Sequence, residues 1–538
     1  MNIENNDGKK SRSKPFLPLD QIELNPEFQQ ALDLMENTGK HVFITGKAGT
    51  GKSTLLEYFR EKTKKQAAVL APTGVAALNV RGQTIHSFFG FRPDITLDKI
   101  KKVPSEKKNL YKNLDTVIID EISMVRADLL DCVEKHLRLN GPFPRQIFGG
   151  VQMIFIGDLY QLPPVVTAAE RPVFSERYPS PYFFSAALFS RLDFDIEMVE
   201  LEKVYRQTDS DFIRLLNAIR NRSVTDADIQ RLNQRWNPGF IPRKNEFYIY
   251  LTSTNQQAWK INQEKLHELD GSFFRYQSMI SGDFDVSSLP TDELLEIKAG
   301  AQVMLVNNDR RGRWVNGTVG RVVDVPEDGT EGPLEVELKD GDVVPVRPHI
   351  WELFRYDYDE SAKKIVTETI GEFWQYPVRP AWAITIHKSQ GKTFDRVVLD
   401  IGRGTFAHGQ VYVALSRCTG FDGLILKKEI QKKHIRMDYR VVRFLTRFQY
   451  QKAEKFLSYD KKKKMIQNAI SQGGLLHLVY LKPDDTKSKR RILPQAIKQM
   501  EYKGKDFEGV NAFCFKRGEA RVFRIDRMLE LKEISDDK

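Results

Sequence analysis

Gly46-Lys47-Ala48-Gly49-Thr50-Gly51-Lys52-Ser53 places glycines and a Lys-Ser pair at GxxxxGK[ST] spacing, after the apolar run HVFIT and before STLLEYFREKTKK, which reads as a helix. That context suits phosphate chemistry. Backbone N–H groups between Gly46 and Thr54 can converge on phosphate oxygens at a helix N-terminus, Lys52 can reach the β/γ-phosphates, and Ser53 can ligand Mg²⁺. Sixty-eight residues after Lys52 the run TVIID ends in Asp120-Glu121. Alone, such a pair is as readily an ordinary strand-end turn. Beside a phosphate loop, the first carboxylate can hold Mg²⁺ through water and the second can polarise the attacking water. Gln161, in GDLYQLPPV after the next apolar run, falls on the same carboxyl edge of the sheet, where its amide can bridge γ-phosphate and water. A loop glutamine by itself is more often simply solvated. Arg206 in VYRQTD and Arg417 in ALSRC could supply positive charge to a transferring phosphoryl group if both reach across a cleft, although an isolated arginine is usually a surface ion pair.

These groups need a scaffold that brings strand ends together. HVFITG (41–46), AAVLAP (67–72), TVIID (116–120) and VQMIFIGD (151–158) are short apolar runs rich in β-branched residues, alternating with helical patterns. They predict a parallel, doubly wound sheet buried on both faces. The same texture returns at LTSTN (251–255), DRVVLDIG (395–402) and QVYVALSR (410–417), so a second α/β domain is expected, without a GxxxxGK[ST] of its own. The expected divisions are a flexible tail over 1–20, a first domain over 21–190, a second over 191–304 and 379–445, and a β-barrel insertion over 305–378 where Gly, Asp and Pro punctuate short strands. A helical or flexible connector over 446–470 then leads to a β-rich module over 471–538.

Charge is uneven. The net charge of the 538 residues is +11, yet residues 451–538 hold 21 Lys+Arg against 13 Asp+Glu, a net of +8. A basic module on a nearly neutral body points to a polyanionic partner, with a merely solvated face as the alternative. With 41% hydrophobic and 29% charged residues, collagen-like and wholly disordered classes are excluded. No run approaches a membrane span, and the opening MNIENNDGKKSRSK lacks the apolar segment of a secretory signal, so no membrane partner is expected. Cys132, Cys418 and Cys514 lie far apart and form no CxxC pair, which fits a reducing compartment.

Taken in order, GKAGTGKS (46–53), APTGVAALNVRGQTIHSFFG (71–90), IIDEISM (118–124), GDLYQLPPV (157–165), VYRQTDSDF (204–212), LTSTNQQA (251–258), AITIHKSQGKTFD (383–395) and YVALSRC (412–418) resemble the motifs of superfamily-one B-type DNA helicases. Among these the chain is most similar to the petite-integration-frequency (PIF) helicases, which are related to RecD. The resemblance covers about residues 24–440. It implies two RecA-like domains with ATP between them, single-stranded DNA across their tops and 5′-to-3′ translocation. It further implies an adenine-reading Gln29, phosphate and metal roles for Lys52, Ser53, Asp120 and Glu121, γ-phosphate sensing by Gln161, Arg206 and Arg417, and coupling of DNA to ATP by Gly391, Lys392 and Thr393. The insertion resembles a Src-homology-like barrel, and residues 88–110 should form a small wedge. A monomer acting on single-stranded and forked DNA is expected, with guanine quadruplexes among its candidate substrates. The family's work in DNA repair, recombination and telomere maintenance comes with the resemblance.

The DNA path also has support from the residues. Pro72, Thr73 and Gly74 close a strand with a turn whose amides could meet phosphates. His86, Phe88 and Phe89 offer stackable rings, the alternatives being a core phenylalanine pair and a locally bonded histidine. Thr252, Ser253, Thr254, His387, Lys388 and Ser389 are polar donors suited to phosphates. At the C-terminus, LVYLKPDDTKSKRRILPQAI and GVNAFCFKRGEARVFRIDRM resemble the WYL domain of bacterial regulators over about 472–532. Glu508-Gly509-Val510 stands where that family has Trp-Tyr-Leu, while the RxFRxDR run with Arg521, Arg524 and Arg527 matches. On a strand Arg521 and Phe523 face one side and Arg524 the other. Lys516, Arg521 and Arg524 are the candidate DNA contacts there, and the WYL resemblance favours a bacterial cytosol or nucleoid. Two rivals remain: a DNA-dependent ATPase serving as sensor or regulator, and a P-loop kinase, which the lack of an acceptor-substrate motif disfavours.

Overall fold

The computed structural model describes residues 24–534 apart from 208, 244–245, 285–288, 327–331, 403, 405–406, 482–486 and 503, so the tail expected over 1–20 lies outside the described residues. Two compact units emerge: residues up to 214 together with 229–434, and residues 215–228 together with the chain from 435 onward.

The first unit opens with a helix, α1 (Pro26–Asn37). Asn25 caps it by accepting from Phe28 N at 2.9 Å, and Pro26 suits a first turn that needs no N–H. Six strands then form one sheet: β1 (His41–Gly46), β2 (Ala67–Ala71), β3 (Gln83–Thr84), β4 (Thr116–Ile119), β5 (Gln152–Gly157) and β6 (Ile196–Leu201). Their order is β3-β2-β4-β5-β1-β6, and every pairing is parallel. The central strands β1, β2, β4 and β5 are buried almost along their whole length because both faces are covered. One face packs Val42, Ile44, Ile118, Ile154 and Val199 against Phe28, Ala31 and Met35 of α1 and against Leu55 and Phe59, and on the other Phe43 and Phe155 meet the Phe183 ring. Each such fully buried Val, Leu, Ile, Met or Phe side chain contributes about 1.5–3 kcal/mol of apolar transfer. Since β6 pairs with β1, the first domain continues past the expected limit at 190.

A second parallel sheet of four strands runs in the order Ala383–Thr385, Ile249–Thr252, Val397–Asp400, Leu424–Leu426. QVYVALSR does not join it. Gln410–Leu415 is a helix with all six residues buried, and Gly409 in the left-handed region (φ 72°) makes its entry. A short continuous apolar run carries no period that tells a strand from a buried helix.

Between the strands of that sheet lies an antiparallel insertion, which starts at Phe274 rather than at 305. Strands Gln302–Leu305, Val319–Asp324, Leu334–Leu338, Val343–Val346 and Val378–Pro380 form a five-stranded sheet around Val303, Leu305, Trp314, Val322, Val336 and Val346. The long hairpin His349–Asp359 and Lys364–Gln375 pairs with Met279–Gly282 in a separate three-stranded sheet. In the 88–110 segment the elements are the end of helix Ile85–Phe89, a 3-10 turn at Leu97–Lys99 and the start of helix Ser105–Lys112.

In the second unit, helices Tyr439–Phe456 and Tyr459–Gln472 occupy the expected connector. Five antiparallel strands follow, with Ile466 and Ala469 of the second helix completing a core of Leu476, Leu478, Ile492, Val510, Ala512, Phe523 and Leu531.

Candidate ATP site and DNA-facing loops

The phosphate loop leaves β1 and enters the helix Lys52–Lys62 through Gly51, which is left-handed (φ 86°) as an L-residue rarely is. Gly49 is also left-handed, and any Cβ there would collide with Cβ of Arg206. Glycine is therefore what lets the 205–207 segment approach the loop, and Tyr205 N donates to Gly49 O at 2.8 Å. Lys52 Nζ donates to Gly46 O at 2.7 Å and Lys47 O at 3.0 Å, while Thr50 Oγ1 donates to Lys47 O at 3.0 Å. Ser53 is exposed and Thr54 half-buried at the helix start. Phe28 of α1 packs beneath Gly51, whereas Gln29 is exposed on that helix and lines a groove with Leu32, Asp33, Tyr58 and Lys62.

Asp120 and Glu121 follow β4, and Glu121 holds a left-handed backbone (φ 51°) that is costly for a side-chain-bearing residue. Burial pushes the Asp120 carboxyl up, opposed by Lys52. Glu121 is pushed up to about 7 by burial and then by the Asp120 charge, with Lys52 and Arg417 pulling the other way. A cation bound between two such carboxylates would favour their ionising together. Among the described residues no three His, Cys, Asp or Glu side chains cluster as a metal cage. Mg²⁺ keeps several waters and takes one or two carboxylates plus substrate phosphates. The Ser53 hydroxyl and the Asp120 carboxyl are oxygen donors that fit such an ion.

Gln161 is buried, with its Nε2 at 3.5 Å from Asp158 Oδ2 and its Oε1 accepting from Gln390 Nε2 at 3.0 Å. Gln390 also stands 3.4 Å from Glu121 Oε2, so a single amide bridges the candidate sensor and the candidate base. A second bridge runs through Tyr412, whose hydroxyl accepts from Ala48 N at 3.1 Å and donates to Asp158 Oδ2 at 3.3 Å. Sequence reasoning does not single out Gln390, Tyr412 or Asp158, although IHKSQG, YVALSRC and GDLYQL contain them. Their position inside those motifs is the signal that could have found them.

Arg417 is 1% exposed, and burial, followed by the neighbouring Arg206, lowers it to about 9. Its Nε donates to Val413 O at 3.0 Å, one terminal nitrogen to Lys392 O at 3.3 Å and Ser389 O at 3.4 Å, and the other to Ser416 Oγ at 3.0 Å. Arg206, also lowered by burial, donates to Ser416 O at 3.3 Å. Gln207 Nε2 holds the same strip through Ser416 O and Cys418 O, each at 3.1 Å. The two guanidiniums thus meet at Ser416, beside the phosphate loop, with neutral oxygens as these partners. An anion arriving there would relieve both desolvation and mutual repulsion.

The expected DNA contacts divide. Thr73, exposed, caps helix Gly74–Asn79 by accepting from Ala76 N at 3.3 Å, with Pro72 and Gly74 half-buried beside it. His86 is half-buried, and burial lowers its pKa. Phe88 is corrected to a core residue: it is 5% exposed, and its ring lies 4.9 Å from Phe89 and 5.7 Å from both Tyr111 and Tyr356, so it offers no face to a base. Thr252 is also corrected, being wholly buried with Oγ1 donating to Thr254 O at 3.1 Å. So is Ser389, wholly buried with Oγ donating to Ile386 O at 2.8 Å. Both hydroxyls satisfy the backbone that ends their strands. Ser253 is half-buried, and Thr254 is exposed at the cap of helix Asn255–His267. His387 is half-buried and Lys388 exposed, both pKa values lowered by burial first. Gly391 is left-handed (φ 79°) before Lys392.

In the C-terminal module Lys516 is exposed in the turn after strand Lys505–Cys514. Arg521 pairs with Glu519 at 2.8 Å. Arg524 pairs with Asp526 at 2.7 Å and lies 4.6 Å over the Phe507 ring, while Arg527 belongs to a 3-10 turn rather than to the strand. Glu508, at the position of the missing triplet, accepts from the Tyr459 hydroxyl at 2.5 Å and Lys463 Nζ at 2.7 Å.

Comparison with known proteins agrees with this geometry. Residues 23–230 match the PIF1-like helicase family model, and residues 462–533 match the WYL domain model. The ATP-dependent DNA helicase Pif1 of Bdellovibrio bacteriovorus is 33% identical over 453 residues, covering 81% of this chain and 94% of its own. A crystal structure of Bacteroides sp Pif1 in complex with ADP-AlF4 superposes with a TM-score of 0.73 at 36% identity, covering 80% of this chain and 97% of that one. Bacteroides Pif1 bound to single-stranded DNA gives 0.57 at 38% identity, over 79% and 96% of the two chains. On the strength of that identity across four-fifths of its residues, with the phosphate loop, the paired carboxylates and the two arginines gathered at one edge of the sheets, the chain belongs to the PIF1-like helicase family.

Proposed function

We propose that the protein is an ATP- and Mg²⁺-dependent DNA helicase that moves 5′ to 3′ along single-stranded DNA and opens duplex at forks. The observation that carries this reading is the meeting of Arg206 and Arg417 at Ser416, within reach of a phosphate loop whose own domain supplies Lys52, Asp120 and Glu121. A γ-phosphate bound there would draw in cations from both sides, which is how hydrolysis comes to be linked to a change in domain spacing. In this reading Lys52 and the loop amides bind the phosphates, and Ser53 and Asp120 hold Mg²⁺. Glu121 orients the attacking water, with Gln161 set beside it through Gln390. Arg206 and Arg417 neutralise the developing charge. Chemistry that bound Mg²⁺ would supply is charge neutralisation across the β- and γ-oxygens.

Single-stranded DNA would run past Pro72, Thr73, Gly74 and His86 in the first domain and past Ser253, Thr254, His387 and Lys388 in the second. The WYL module would assist by phosphate contact through Lys516, Arg521 and Arg524. The protein would act as a monomer in a bacterial cytosol, with guanine quadruplexes among its substrates. Strand displacement on partial duplexes with either a 5′ or a 3′ tail, with and without ATP, tests the reading. Opening of the 5′-tailed substrate alone, and only with ATP, is expected. A second reading, a DNA-dependent ATPase working as a sensor, draws on the separate WYL module and predicts hydrolysis on single strands with no displacement of either substrate.

A further inference from the structure

The loop between strands Gln302–Leu305 and Val319–Asp324 is built to hold one side chain rigidly outward. Trp314 is buried and its Nε1 donates to Asn307 Oδ1 at 3.0 Å. Asp309 accepts from the backbone N–H groups of Arg311 and Arg313 and from both ends of the Arg313 guanidinium, which lies 4.6 Å over the Trp314 ring. Asn308 Oδ1 accepts from Asn316 N at 2.8 Å, and Gly317 N donates to Leu305 O at 2.8 Å. Gly317, at φ 100°, gives the turn a conformation closed to other residues, and a Cβ there would lie 3.5 Å from Lys392 Cβ.

So fixed, the Asn316 side chain works outside its own loop. Its Oδ1 accepts from Lys392 Nζ at 2.5 Å, and its Nδ2 donates to Asn79 Oδ1 at 3.1 Å. Asn79 ends the helix Gly74–Asn79, which begins at the Thr73 turn. Lys392 lies in the 387–393 segment, and its carbonyl accepts from Arg417. A continuous line therefore runs from Arg417 through Lys392 and Asn316 to Asn79, joining the insertion to both parallel-sheet domains. The amide accepts from the ammonium and donates to the second amide through two separate atoms of fixed polarity, whereas a carboxylate can only accept and a hydroxyl must do both through one short, rotatable oxygen. Burial and then Arg379 lower Lys392 to about 8, and its Nζ faces a neutral amide oxygen. Such a contact is a hydrogen bond to a neutral acceptor rather than an ion pair, and it is strongly directional.

We propose that Asn316 is the positioning residue that couples the nucleotide side of the motor to the 72–79 turn. The inference rests on the helicase reading. Movement of Arg417 toward a γ-phosphate takes a hydrogen bond from the Lys392 peptide, and Asn316 carries the resulting shift of Lys392 to Asn79. Without the amide, hydrolysis proceeds but the turn no longer follows it.

The test compares the full chain with Asn316→Ala, Asn79→Ala and the double variant at saturating ATP and Mg²⁺. DNA-free hydrolysis and single-strand affinity are expected to stay within about twofold, while base pairs opened per ATP fall roughly 2- to 10-fold in each single variant. The double variant should be no worse than either, as for two ends of one line. An unchanged ratio in Asn79→Ala, additive losses, or a parallel fall in DNA-free hydrolysis overturns the inference. Asn79 is exposed, so its variant decides even if Asn316→Ala does not fold. Should the wild-type chain hydrolyse ATP on single strands yet displace nothing, the helicase reading fails by itself. The inference is then judged by DNA stimulation of hydrolysis, expected to fall by the same factor in both variants.

Discussion

The two parallel sheets share a construction and differ at their strand ends. The six-stranded sheet ends β1 in the phosphate loop and β4 in Asp120-Glu121. The four-stranded sheet has no such loop, and the segments after its strands supply Lys388, Gln390, Lys392 and Arg417. One sheet thus collects a binding loop and acids, while the other collects cations, Arg417 among them held on neutral backbone oxygens. A repeated topology places edges, and chemistry is decided by which residues stand on them. Neither sheet is complete as a site: Glu121 reaches Gln390, Ala48 reaches Tyr412, and Arg206 and Arg417 share Ser416.

Removing the binding half should have the largest effect. Lys52→Ala is expected to take ATP hydrolysis and strand displacement to background while single-strand binding stays nearly intact, measured by phosphate release and fluorescence titration. Equal loss of DNA binding would mean that the two sheets do not divide the work.

Next comes the cationic half. Arg417→Ala should lower DNA-stimulated hydrolysis by about 10³-fold with a far smaller change in ATP affinity, because an arginine acting on developing charge lowers the barrier more than it tightens the ground state. Arg417→Lys should rescue poorly, since one ammonium, a point charge, cannot serve the three carbonyls and one hydroxyl now held by the planar fork. Full turnover by the alanine variant would remove Arg417 from the mechanism.

A smaller effect is expected outside both sheets. Ending the chain after Ser458 removes the helix Tyr459–Gln472 and the five strands whose core it completes, and with them most of the +8 carried beyond residue 450. DNA-stimulated hydrolysis should survive. Single-strand affinity should fall, with its salt dependence flattened by roughly 0.7 for each DNA phosphate that the module neutralises. Because Arg521 and Arg524 are already paired with Glu519 and Asp526, an unchanged slope would identify the basic charge as a solvated face.

Smallest is Glu508→Gln, which weakens the bonds from Tyr459 and Lys463 and should destabilise the module by less than about 1 kcal/mol, read by thermal unfolding. Those partners hold the Glu508 carboxyl below its usual range, so the stabilisation is present at neutral pH and lost as pH falls through that lowered value. Wild type and variant should converge in acid, and a gap that persists there would assign the effect to packing.

Local sequence determined the parts whose causes are local. The phosphate loop, the strand-end carboxylates and the apolar strands of the first sheet are spelled out within a dozen residues each, because glycine conformations, helix entry and two-sided burial depend on near neighbours. Tertiary structure decided the rest. Which rings face DNA could not be read from HSFFG, since Phe88 is buried by Tyr111 and Tyr356, the latter 268 residues away in the insertion. QVYVALSR has the composition of a strand, yet Gln410–Leu415 is a fully buried helix, and a continuous apolar run carries no period that tells the two apart. The hydroxyls of Thr252 and Ser389 turn inward to satisfy strand-end backbone, a demand visible only once the strands are paired. Partners such as Gln390 for Glu121, Tyr412 for Ala48 and Asn316 for Asn79 lie more than 200 residues apart and meet only when the domains are assembled, so no local pattern could name them.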